Sequence, residues 1–148
     1  DALTWQRTLA PEEHLAGLGE HTGAVELRGR TRTLWNTDAY DAAFGGFRPD
    51  ADPLYLNVPL LLSMRAGRWS GHFVNDTHRL RYDLGASDAR TLRVTAATDA
   101  IEHHLVAGPA PADVLRRYTA LTGRPPLPPR WTAGARRRCA RTSRRWSA

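Results

Sequence analysis

The sequence predicts a mainly β protein, an antiparallel β-sandwich with one C-terminal helix and a proline-rich linker. Three observations predict it. Apolar and polar residues alternate more often than apolar residues recur at helical spacing; turn residues interrupt these stretches at short intervals; and a single late segment carries helical periodicity.

In chain order, the β-rich stretches are "TRTLWNT" (31–37), "LYLNVPLLLSMR" (54–65), "RWSGHFVND" (68–76), "RLRYDL" (79–84), "TLRVTAAT" (91–98) and "IEHHLVAG" (101–108). "RAGR" at 65–68 predicts a hairpin turn in which Gly67 takes a positive φ, and "ATDAI" around Asp99 predicts another. Pro59 implies that its strand is an edge or is bent there. "GLGEHTG" lacks the Gly-Lys-Ser/Thr ending of a phosphate loop and opens no helix, so its glycines are expected to permit tight turns.

The helix is predicted in "PAPADVLRRYTALTG", where Val114, Leu115, Tyr118 and Leu121 fall at helical spacing. Pro111 suits the first helical position and Gly123 the position just past the end. Arg116 and Arg117 fall in the later half, where positive charge complements the helix dipole. "RPPLPPRW" then reads as a stiff connector, because so many prolines exclude helix and central strand. The expected organisation is a sandwich over 1–108, a helix over 109–123, a linker over 124–134 and an Arg-rich tail over 135–148.

At 148 residues there is room for one domain of ordinary size. No apolar run approaches the length of a membrane span, and the N-terminal stretch lacks the basic and apolar regions of a secretory leader, so no membrane partner and a cytoplasmic location are expected. One cysteine, Cys139, supports neither an internal disulfide nor a thiolate zinc site. All 21 basic residues are arginine; six lie in the last thirteen positions, and the other 15 balance the 15 Asp and Glu. The basic character therefore belongs to the tail, and without a reading motif it predicts no specific nucleic-acid partner.

Several clusters invite functional readings. His103 and His104 are neighbours on a strand and so face opposite ways. His72 and His78, with Asp76 between them, are placed to approach each other, but a pair with one carboxylate is short of a metal set; no metal and no cofactor are expected. Asn75-Asp76-Thr77 reads as a turn between strands that formally fits a glycosylation sequon. Trp5, Trp35 and Trp69 either fill the core or stack on sugar rings.

The segments "EHLAGLGEHTG", "LWNTDAY", "DPLYLNVPLLLSMRAGRWSGHFVNDTHRLRYDLG" and "LVAGPAPADVLRRYTALTGRPPLPPRW" occur in the order and spacing of glycoside hydrolase family 31, which the chain resembles over roughly residues 12–134. The resemblance implies the N-terminal sandwich of an α-glucosidase or α-xylosidase, leading through a helix and linker into a catalytic (β/α)₈ barrel. Such enzymes are retaining and use two carboxylates about 5 Å apart. Both come from the barrel, whose motifs are absent here and which takes about 250 residues. The resemblance therefore implies a chain without catalytic residues, inactive alone, whose partners are a catalytic barrel and an α-linked glucoside or xyloside oligosaccharide.

The resemblance further implies that Asp38, in the loop matched by "WNTDAY", hydrogen-bonds the sugar on the leaving-group side, with Asn36 and Tyr40 as lesser neighbours. The residues alone leave a second reading open, in which Asn36-Thr37-Asp38 is a turn whose side chains bond their own backbone. Two other functions remain open: a stand-alone carbohydrate-binding module using Asp38 and exposed tryptophans, and a polyanion binder acting through the basic tail. An apolar surface meant for a barrel would also favour self-association. After Trp131, "TAGARRRCARTSRRWSA" departs from the family's apolar first barrel strand. Residues from about 135 onward are accordingly expected to be out-of-frame translation, and the chain a truncated fragment.

Overall fold

The computed structural model describes residues 2–38, 51–129 and 132, and among them it contains eight strands and one helix. One sheet has the order β1 (Leu3–Thr8), β7 (Thr91–Ala96), β6 (Leu80–Leu84), β3 (Thr31–Leu34). The other has the order β2 (His14–Gly19), β4 (Asn57–Arg65), β5 (Arg68–Val74), β8 (His103–Gly108). Every pairing is antiparallel, so the architecture is the sandwich that the sequence predicts.

Alternation explains the core. In β7, Leu92, Val94 and Ala96 point inward while their neighbours do not, as a strand with one buried face requires. They meet Tyr82 and Leu84 of β6 and Leu61 of β4 between the sheets. The "RAGR" hairpin joins β4 to β5 as expected, with positive φ at both Ala66 and Gly67. By contrast, "ATDAI" is not a hairpin: β7 and β8 lie in different sheets, and the chain crosses between them there. Thr98 and Ala100 do make a local turn, but a turn signal says nothing about which sheet the next strand joins.

Of the two alternatives at Pro59, the edge is excluded and the local irregularity is found. Its strand, β4, is internal, between β2 and β5. The β2 ladder shifts register between Gly17↔Leu61 and Gly19↔Asn57, and the β5 ladder begins only at Leu60. A residue without an N–H is tolerated at such an irregularity because no ladder pair is lost. Opposite it, Gly17, Leu18 and Gly19 all have positive φ. A Cβ on Gly19 would lie 2.5 Å from the Leu56 carbonyl oxygen and 2.7 Å from the Val58 nitrogen, so the two backbones approach as only glycine allows. Gly19→Ala is expected to cost about 2 kcal/mol of stability. An unchanged urea midpoint would contradict this account of the bulge.

The helix α1 (Pro111–Thr122) begins at Pro111 and ends before Gly123 as predicted. Its apolar stripe is narrower than the sequence implies. Val114 is fully buried, in the space left by Gly71, where a Cβ would come within 2.7 Å of its Cγ1. The Tyr118 ring meets Phe73 edge-on at 5.1 Å. Leu115 and Leu121 are exposed instead of buried. Arg116 and Arg117 do not reach the last turn; Arg116 donates to Asp113 (2.7 Å) and Arg117 to the Ala107 carbonyl. Residues 124–129, in the linker, are exposed and without regular structure. The Arg-rich tail, 135–148, lies outside the described residues.

Candidate functional site

β3 ends at Leu34, whose side chain turns into the core, and Trp35 leaves the sheet with 52% of its surface exposed. The loop that follows is pinned to the approach of β4. The Thr37 hydroxyl donates to the Trp35 carbonyl (2.9 Å), and the Thr37 N–H donates to the Leu54 carbonyl (3.1 Å). The amide oxygen of Asn57 accepts from the backbone N–H groups of Trp35 and Asn36 (3.2 and 3.0 Å), and the Asn36 and Asn57 side-chain amides meet at 2.6 Å. The Tyr55 hydroxyl donates to the Asp38 carboxylate (2.8 Å). Asn36 and Asp38 are thus held on one loop, while Tyr40 lies outside the described residues. The turn reading is seen in Thr37; the Asn36 and Asp38 side chains bond to the segment before β4 and its first residue.

The crossover from β5 to β6 forms a facing wall. Asp76 Oδ1 accepts from both the backbone N–H (2.6 Å) and Nδ1 (2.8 Å) of His78. Asn75 donates to Glu102 (2.7 Å), which also pairs with His104 (2.7 Å). Those two bonds, Asn75 first, hold the Glu102 carboxyl below its ordinary range. Between the walls lies an open cleft of about 440 Å³, floored by Leu34, Pro59, Phe73 and Leu80 and rimmed by Trp35, Asn36, Asn57, Asp76, Thr77 and His78.

A second polar cluster joins the two sheets. Glu13, in the β1–β2 crossover, is paired with Arg7 of β1 and accepts from the Ser63 hydroxyl of β4 (2.5 Å) and the Ala10 N–H (3.1 Å). Burial opposes its charge, but the bonds from Arg7, Ser63 and Ala10 prevail and hold the carboxyl at about 2. So acidic and fully engaged a group is not a general base. Beside it, His72 Nδ1 meets His103 Nε2 at 3.2 Å, and Trp5 stacks on His103 at 4.3 Å. Burial, with help from Arg7 and His103, pushes His72 down to about 4.

His72 therefore pairs with His103 and not with His78, which belongs to Asp76. His103 and His104 do face opposite ways, onto Trp5 and Phe73 respectively. Among the described residues, no group of three or more His, Cys, Asp or Glu is placed to hold a metal ion. The tryptophans divide: Trp5 packs against the core, Trp69 is half-buried, and Trp35 is exposed at the cleft. No local signal marks Tyr55 as the partner of Asp38, or the Glu13–Ser63 bond, which spans fifty residues.

The family model described as the glycosyl hydrolase 31 N-terminal galactose mutarotase-like domain matches residues 2–83. Alpha-glucosidase 2 of Bacillus thermoamyloliquefaciens is 42% identical over 123 residues, covering 82% of this chain and 15% of that protein. The alpha-glucosidase of Saccharolobus solfataricus is 34% identical over 129 residues, covering 87% and 18%. A GH31 dextranase of Flavobacterium johnsoniae, solved with isomaltotriose, superposes with a TM-score of 0.76 at 25% identity, covering 88% of this chain and 15% of that one. The chain thus spans less than a fifth of the length of these relatives.

Proposed function

Through its N-terminal sandwich the chain belongs to glycoside hydrolase family 31, and on that premise we propose that it serves as the non-catalytic domain of a retaining α-glycosidase acting on α-linked glucosides or xylosides. Its 35–38 loop supports the aglycone side of an active site that a separate barrel completes, and Asp38 accepts hydrogen bonds from the sugar there. Carboxylates suit this task because they take two hydroxyl donors in charge-assisted geometry. The observation that carries the reading is the extent of the match: nearly the whole described chain aligns with under a fifth of each relative. The expected result is no hydrolysis of an aryl α-glucoside by the purified chain. Turnover above background that survives repurification would overturn the non-catalytic role.

A further inference from the structure

Asp76 is the least expected member of the cleft. Its side chain is only 6% exposed, yet it lines the open space. Oδ1 is occupied twice by His78, whereas Oδ2 has no hydrogen-bond partner among the described residues. That oxygen is open to a donor that enters through the cleft. Across the cleft stands the exposed Trp35 ring, with the Asn36 and Asn57 amides beside it. Among the described residues, no arginine lines the cleft, and its two ionisable groups, Asp76 and His78, are paired with each other. The described lining is therefore suited to a neutral polar ligand.

We propose that this cleft is a sugar-binding site for a neutral α-linked oligosaccharide, whose ring stacks on Trp35 while adjacent hydroxyls donate to Asp76 Oδ2 and bond to the Asn36 and Asn57 amides. The chemistry is that of a polyhydroxylated ring: an apolar face for the indole and hydroxyl donors for a carboxylate. A cleft of about 440 Å³ is in the ordinary size range for small-ligand sites. The identity of the sugar rests on the function proposed above, and the site extends that function from Asp38 to the opposite wall.

Titration calorimetry of the 148-residue chain with isomaltotriose and with maltotriose tests it. Saturable binding to at least one is expected, weakened about tenfold or more by Trp35→Ala and by Asp76→Asn. Asp76→Asn keeps an oxygen for the His78 N–H and so preserves the turn; an unchanged thermal midpoint shows that the fold is intact. Glu12→Ala, in the β1–β2 crossover and outside the cleft lining, is expected to leave affinity within about threefold, which is under 1 kcal/mol. Absence of saturable binding, or unaltered affinity in both cleft variants, overturns the proposal. Binding lost only in Asp38→Ala would also overturn it, while leaving the role of Asp38 standing.

Discussion

Glu13→Ala is expected to lower stability by roughly 3–5 kcal/mol, as breaking one side of a buried ion pair does. The carboxylate is 5% exposed and takes bonds from Arg7, Ser63 and the Ala10 N–H. Its removal strands all three. Arg7 suffers most, because its Nε is already buried without a partner and its guanidinium would keep only the Thr8 carbonyl. Arg7 lies in one sheet and Ser63 in the other, so the loss also loosens the junction of the two layers at the β1–β2 crossover. A domain of this kind has only 5–15 kcal/mol in total, and the variant should unfold at a much lower urea concentration. The double variant Arg7→Met, Glu13→Leu is expected to recover much of the deficit, since apolar replacement of a buried pair is often close to neutral. A loss under about 1 kcal/mol for Glu13→Ala would mean that water reaches the cluster and that it does not hold the sheets together.

How much of this was legible in the sequence depended on whether a feature is local. β3 to β8 each carry their own alternation or β-rich run, and α1 carries both its boundary residues, so these elements could be read directly. β1 and β2 could not. β1 buries no residue fully, being an edge strand, and β2 buries only Leu15 and Leu18 among glycines that suggest a turn. Sheet membership was equally hidden: the segment around Asp99 has turn chemistry, but whether it closes a hairpin or crosses the sandwich is decided by the partners of β8, which lie at 69–74. At the candidate site, one motif places Asn36 and Asp38 on a single loop. Tyr55 and Asn57, which hold that loop, and Asp76, which faces it, come from later segments and meet it only through the topology.

Lowering the pH from 7 towards 4 is expected to remove up to roughly 3 kcal/mol of stability through His72. The sign follows from the direction of the shift. The folded chain holds His72 at about 4, first by burial and then by Arg7 and His103, with Glu13 opposing, whereas an unfolded chain titrates it near 6.5. Between those values the unfolded state binds a proton that the folded state refuses, so stability is full above about 6.5 and drains away as pH falls towards 4. His103, also pushed down by burial, by His104 and by Arg7, adds to the same window. Glu13 acts in the next one: held at about 2 when folded, it contributes stability above its unfolded value near 4.5 that is lost as pH drops through the folded value. Urea unfolding at pH 7, 5.5 and 4 would show the first decline. His72→Phe keeps an aromatic ring beside His103 and Trp5 but cannot take a proton, so its stability should depend much less on pH between 6.5 and 4. An identical slope in that variant would exclude the buried neutral imidazole of His72 as the cause.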